Sequence, residues 1–139
     1  EEMGFAAHLR YHWMENVVYK SISFLPIAII GGFNLEFVFI VHIIQTTIGH
    51  LNHANIKLNY GPLKYIFNNP EMHIWHHSKE LPAGVHGVNF GISLSIWDYI
   101  FKTNHIPHSG RDIKLGFDQV ESYPDTFIQQ SIEPFKRKK

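Results

Sequence analysis

The feature that most limits the possible folds is an apolar stretch from Ile22 to Ile48, in which Glu36 is the only charged residue. The turn-forming run Gly31–Asn34 interrupts this stretch. As one membrane span it would be longer than a bilayer needs, and Glu36 would lie near mid-membrane at a cost of a few kcal/mol. We therefore predict a helical hairpin inserted in a membrane, with arms at roughly 16–30 and 35–48. The alternative is a buried hairpin in a soluble helical protein.

The two flanks of this hairpin predict its orientation. Residues 10–20 and 50–64 emerge on the same side, and both flanks are basic. The positive-inside rule then places that side in the cytoplasm, at a bacterial inner membrane or an endoplasmic reticulum. Pro26 is expected to kink the first arm. The overall prediction is a mainly α protein: an integral-membrane hairpin, a cytoplasmic histidine-rich helical cap, and a short irregular C-terminal segment.

Three histidines within five residues predict a metal site in the cap. Asn69 is a favourable helix cap and Pro70 a favourable first helical residue. On that helix His73, His76 and His77 fall at positions i, i+3 and i+4, so their imidazoles leave one face. Convergent imidazoles suit a transition metal. The alternative is a solvated histidine-rich surface turn.

A second histidine pair, His50 and His53, follows the apolar stretch directly and shares a helical face. We predict that one or both bind the same metal from the second arm. The chain has eleven histidines and no cysteine, which excludes disulfides, thiolate zinc sites and iron–sulfur ligation. Its formal net charge is zero, and no nucleic-acid partner is expected.

Five ordered blocks carry a resemblance to a known family. They are Arg10–Glu15, His53-Ala54-Asn55, the HisxxHisHis of residues 73–77, Asn89-Phe90-Gly91 and the run Ile96–Thr103. In this order they resemble the fatty acid hydroxylase / sterol desaturase superfamily, from about Arg10 to Phe117. One departure is Lys102, which stands where the family usually has glycine.

The resemblance implies a membrane-embedded non-haem di-iron enzyme. Such enzymes use O2, and electrons from a reductase, cytochrome or ferredoxin, to hydroxylate or desaturate a lipid: a sterol, fatty acyl chain, ether lipid or carotenoid. Carried over by motif, His53, His73, His76 and His77 match the family's metal ligands, with His50 as a plausible addition. Asn89 and Asp98 are implied to orient imidazoles through hydrogen bonds. A turn residue and a helix cap are their alternative roles.

The resemblance also implies that part of the metal site is missing. The family's first two histidine boxes lie upstream of the segment at which this chain begins, and His8 and His12 do not have their spacing. We therefore predict that residues 1–139 form a single partial domain, the C-terminal portion of a larger enzyme. Within it we assign a hairpin at about 16–48, a histidine-box region at 50–103 and a C-terminal extension at 104–139. Alone, the chain is expected to be inactive.

Two other functions remain open. One is a non-catalytic membrane homologue that binds a metal or lipid. The other is a membrane zinc hydrolase, which needs a carboxylate base within a turn of its ligands. The residues between His73 and His76 are Ile74 and Trp75, and Glu71 lies before the ligand face. This pattern disfavours hydrolysis.

Overall fold

The computed structural model describes residues 12–117 and 120–136, and within these ranges the protein is mainly helical. The described residues fall into two compact units, residues 39–117 and residues 12–38 with 120–136. His8 and Arg10, which the sequence analysis considered, lie outside the described residues, as do residues 137–139. Within the described ranges, the only β-type pairing is one isolated antiparallel bridge, between Ser78 and Leu115.

The two predicted arms are helical at the expected places. A π-helical turn, Glu15–Tyr19, leads into α1, Lys20–Ile30, which contains Pro26. After the turn at residues 31–34, α2 runs Leu35–His53. Asn34 caps it by accepting a hydrogen bond from the Phe37 amide at 3.0 Å.

α2 extends five residues beyond the predicted arm and therefore carries both His50 and His53 within the helix. Across the described part of the chain, no helix combines the length and apolarity that crossing a bilayer requires. Membrane insertion of the hairpin stays a prediction.

The remaining helices are short. A 3₁₀ turn, Gly61–Tyr65, precedes α3, Pro70–His76, and α4 runs Ile96–Phe101. In the other unit, a 3₁₀ turn at Val120–Ser122 is followed by α5, Phe127–Ile132, and a last turn at Glu133–Phe135. The expectation of an irregular C-terminal segment is therefore corrected at α5. Thr126 caps that helix through the Gln129 amide, and residues 127–132 contain neither glycine nor proline.

The interior of the unit formed by residues 39–117 is unusually polar. Its buried apolar side chains are Pro70, Met72, Trp75 and Val88. More numerous are its buried polar side chains, which are Asn52, His53, Asn68, Asn69, His73, Ser78, Asn89, Ser95 and Asp98. Burying polar groups is costly unless they are hydrogen-bonded, so such an interior indicates a specific polar network rather than simple hydrophobic packing.

Part of the C-terminal extension packs on α3. The Trp75 indole N–H donates to the His108 carbonyl at 2.9 Å, and its ring meets those of His105 and His108 edge-on. Beyond α3, the Gly116 amide donates to the His77 carbonyl at 2.9 Å. These contacts hold the end of α3, where the histidines lie, against residues 105–116.

Candidate metal centre

Helix α3 begins as the sequence predicts. Asn69 is extended, and its side-chain oxygen accepts the Met72 amide at 3.0 Å, with Pro70 in the first turn. The helix lasts only seven residues and ends at His76, with His77 as its C-cap. Two of the predicted ligands are therefore fixed by a capped helix, and the third by the turn that terminates it.

Three imidazoles converge where α3 meets the end of α2. Nε2 of His73 lies 3.2 Å from Nε2 of His53 and 3.3 Å from Nε2 of His77. One ligand nitrogen from each ring lies within 4.8 Å of the other two. Two nitrogens bound to one ion at roughly 2.0–2.1 Å are separated by about 3.0–3.4 Å. The two separations from His73 therefore match those of ligands on a single transition-metal ion, and the nitrogen-only donor set suits iron or zinc.

Backbone carbonyls determine which ring nitrogen carries the proton in His50, His53 and His76. Nδ1 of His53 donates to the Gly49 carbonyl at 2.8 Å, and Nδ1 of His76 donates to the Val88 carbonyl at 3.0 Å. A carbonyl oxygen only accepts, so the proton resides on Nδ1 and Nε2 keeps its lone pair. His50 is arranged in the same way, with Nδ1 donating to the Thr46 carbonyl at 2.8 Å. Such a partner is typical of metal-binding histidines.

The local environment keeps the imidazoles of His53 and His77 neutral. Burial lowers the pKa of His77 to about 4, and the neighbouring imidazoles of His76 and His53 act in the same direction. Burial also lowers the pKa of His53, although its hydrogen bond to the Gly49 carbonyl opposes the shift. Near neutral pH both rings are therefore neutral, with one nitrogen free of a proton, which is the form that binds a metal.

The five predicted ligands do not all reach the same point. His53, His73 and His77 form the convergent group among the described residues. His76 lies beside it, with its ring centroid 5.5 Å from that of His73 and 5.2 Å from that of His77. His50, one turn before His53 on α2, is near enough to influence the pKa of His53. Binding of metal by all five remains a prediction.

Asn89 and Asp98 make well-defined hydrogen bonds to the backbone. The Asn89 amide donates to the carbonyls of Met72 and His105, each at 2.8 Å, and its oxygen accepts the His105 amide at 2.8 Å. The Asp98 carboxylate accepts the amides of Phe90 and Gly91. Asn89 thus contacts α3 at Met72, whereas Asp98 contacts Thr103 and the two residues that follow Asn89. Their implied role in orienting imidazoles stays a prediction.

Two further asparagines belong to this support, and sequence reasoning missed them. Asn52, which precedes His53, donates to the Ile92 carbonyl at 3.0 Å. Asn68, which precedes the α3 cap, donates to the Gly91 carbonyl. A signal was available: both are polar residues directly beside predicted ligands or caps. Their distant backbone partners have no sequence pattern.

A cluster of three imidazoles from α2 and the α3 region, which could hold a metal ion, is thus the class of site that these residues define. The fatty acid hydroxylase family model matches residues 1–103, and the chain belongs to that family. It is 32% identical over 129 residues to the ornithine lipid hydroxylase OlsE of Rhizobium tropici. The alignment covers 93% of this chain but only 38% of that protein's length. No solved structure matches the chain significantly.

Proposed function

We propose that this chain supplies part of the iron centre of a membrane-bound, O2-dependent lipid hydroxylase. The observation that carries the proposal is the convergence of three imidazole nitrogens from His53, His73 and His77. Membership of the fatty acid hydroxylase family supports the reaction class. The name of the relative supports a lipid substrate, and an ornithine-containing lipid is the first to test.

Iron is favoured over zinc by the ligand surroundings. A zinc hydrolase needs a general base close to the metal. The two residues between His73 and His76 are Ile74 and Trp75, which carry no proton-transfer group at neutral pH. The convergent group within the described ranges consists of histidines alone.

We propose a di-iron centre, in which His50 and His76 contribute to a second ion. Both rings keep an Nε2 lone pair because Nδ1 donates to a backbone carbonyl. Two ions need more ligands than five, and the chain spans about 38% of the length of the relative it matches. We therefore propose that parts of the full-length protein outside these residues supply the remaining ligands.

Iron supplies the activation of O2 when it is bound. Overall, one C–H bond of the lipid becomes C–OH, and the second oxygen atom leaves as water after uptake of two electrons and two protons. A reductase, cytochrome or ferredoxin supplies the electrons. The chain's own contribution is to hold neutral imidazoles in place and to keep the site buried: His73 is 5% exposed and His53 is 9% exposed.

A membrane location is supported by the surfaces of the two long helices. Ile30, at the end of α1, is 82% exposed, and Leu35, at the start of α2, is 83% exposed. Ile22, Leu25 and Ile29 on α1 and Phe39, Ile40 and Ile44 on α2 are also more than half exposed. Apolar helices with this much exposed surface favour contact with lipid. We propose that the histidine side of the protein faces the cytoplasm.

The first test measures metal and product in the full-length enzyme. Iron is quantified by elemental analysis of protein purified from wild type and from His73→Ala, with His86→Ala as the control, since His86 is exposed and does not belong to the convergent group. Lipid extracts of expressing cells are then examined by mass spectrometry for species that have gained one oxygen atom. Loss of iron and product in His73→Ala alone supports the proposal. Stoichiometric zinc, or iron retained in His73→Ala, contradicts it. Iron without an oxidised lipid favours the non-catalytic homologue.

A further inference from the structure

One loop connects the elements that carry the candidate ligands. Residues 88–93, called the strap below, accept hydrogen bonds from His76 at the Val88 carbonyl and from Asn52 at the Ile92 carbonyl. Asn52 lies directly before His53 on α2, and His76 ends α3. The strap therefore contacts both ligand-bearing helices, and its position affects the relative placement of their imidazoles.

A side chain of the strap also bonds the backbone of α3. The Asn89 side chain donates to the Met72 carbonyl within α3 and to the His105 carbonyl beyond α4. Asn89 has a φ of 52°, in the left-handed region that asparagine tolerates better than most residues. This conformation needs support from its surroundings, and Thr103 provides one contact by accepting the Asn89 amide at 3.0 Å.

A single buried carboxylate anchors the strap. Oδ1 of Asp98 accepts the Phe90 amide at 2.7 Å and Oδ2 accepts the Gly91 amide at 2.9 Å. The Thr103 hydroxyl donates to Oδ1 at 2.6 Å, and Asp98 is only 1% exposed. Hydrogen bonds from neutral donors to a charged acceptor are stronger than neutral pairs, so the bonds from Phe90 and Gly91 fix the strap firmly, and the bond from Thr103 helps to hold the carboxylate in place.

The close approach of Asp98 leaves no room for a side chain on the strap at residue 91. A Cβ on Gly91 would lie 2.8 Å from Oδ2 of Asp98 and 2.3 Å from the Leu94 carbonyl oxygen. The glycine therefore permits the contact between carboxylate and backbone. Asp98 and Gly91 act as a matched pair.

From these contacts we infer that Asp98 is a positioning residue for the metal centre: through the strap it holds the Val88 carbonyl that orients His76. The inference rests on the proposed metal-binding function for its consequence, but the orientation of His76 is measurable without metal. Asp98 itself lies in the first turn of α4 and is not assigned to the metal. Its effect reaches the site through Phe90, Gly91 and then Val88.

The variant that tests this is Asp98→Asn, which keeps the shape of the side chain. Each oxygen of the carboxylate accepts one strap amide, from Phe90 or from Gly91. The NH2 group of asparagine replaces one of these oxygens and cannot accept, so one strap hydrogen bond is lost. Asp112→Asn is the matched control, because Asp112 is exposed and undergoes the same chemical change. Metal-free protein labelled with 15N-histidine reports the tautomer of His76 by NMR, and titration with Co2+ reports metal affinity.

We expect His76 to be in the Nδ1–H form in wild type and in Asp112→Asn, and to become a mixture of tautomers in Asp98→Asn. Cobalt affinity should fall about 10- to 100-fold in that variant alone, as is typical for partners that orient metal ligands. An unchanged His76 tautomer in Asp98→Asn overturns the positioning role, including when cobalt affinity falls. If wild type binds no cobalt, the proposed function fails instead, and the tautomer comparison still decides the role of Asp98.

A second variant covers the case in which Asp98→Asn does not fold. Thr103→Val removes one of the three donors to the carboxylate and preserves side-chain shape. We expect a smaller change in the same direction, a partial loss of the Nδ1–H tautomer of His76 with a few-fold weaker cobalt affinity. A Thr103→Val protein whose His76 remains fully in the Nδ1–H form overturns the inference.

Discussion

The low pKa of His77 makes the stability of the metal-free protein depend on pH. In the folded chain this pKa is about 4, against 6.5 for an ordinary histidine. Between these two values the unfolded chain binds a proton that the folded chain does not. The free energy of unfolding must therefore decrease as the pH falls through this window, and it is at its full value above pH 6.5.

The size of the effect follows from the shift. One pKa unit corresponds to about 1.4 kcal/mol, so lowering the pH from 7 to 5 should remove about 2 kcal/mol from the free energy of unfolding. The direction of the shift at His53 is the same, and adds to the loss. The free energy of unfolding of a small protein is roughly 5–15 kcal/mol, so a loss of this size is easily measured.

Urea unfolding of metal-free protein in mild detergent measures it. Trp75 is 3% exposed on α3 and reports unfolding of that region, provided that Trp13 and Trp97 are first replaced by phenylalanine. His77→Gln in this background should be less sensitive to the same pH change, whereas exposed His86→Gln should behave as the parent does. A His77→Gln protein with the parent's full pH dependence would refute the assigned origin of the effect.

Three predictions concern the scaffold, and each is checked by urea or thermal unfolding of the metal-free protein. Lys102, the C-cap of α4, has a φ of 58°, in the left-handed region that favours glycine. Lys102→Gly should therefore raise the free energy of unfolding by about 1 kcal/mol; a lower free energy of unfolding contradicts this. Asn69→Ala removes the α3 cap and should cost about 1–2 kcal/mol, whereas Asn69→Asp keeps the acceptor and should cost less; equal losses contradict the capping role. Met72 is fully buried, so Met72→Ala should cost about 2–5 kcal/mol; a loss below 1 kcal/mol would mean that the site collapses without a cavity.

Local signals were sufficient for α3 and for the turn between α1 and α2. Asn69-Pro70 is a strong start signal because both residues favour their positions for reasons internal to the helix end, and the structure confirms the cap. The glycines at 31 and 32 likewise marked the turn, in which Gly32 adopts a φ of 63°. The C-terminal helix α5 was missed because its cap, Thr126, precedes only six helical residues, too few to show a period.

The spacing rule predicted three ligands on one face of α3 and could not separate them. Successive helical residues rotate by about 100°, so positions four apart differ by about 40° and positions three apart by about 60° on the opposite side. His77 therefore stays close to the direction of His73, whereas His76 turns the other way. The partner His53 approaches from α2 and forms the convergent group with His73 and His77.

The turning away of His76 explains why the strap matters to the site. His53 is oriented by the Gly49 carbonyl of its own helix, a local contact that helix geometry provides. His76 is oriented by the Val88 carbonyl, twelve residues further along the chain, and no helical period brings that group to it. The orientation of His76, a candidate ligand outside the convergent group, thus depends on a loop, and the loop is held by the buried Asp98 carboxylate. The sequence blocks contained Asn89, Gly91 and Asp98, and only the hydrogen bonds of the structure connect the three residues.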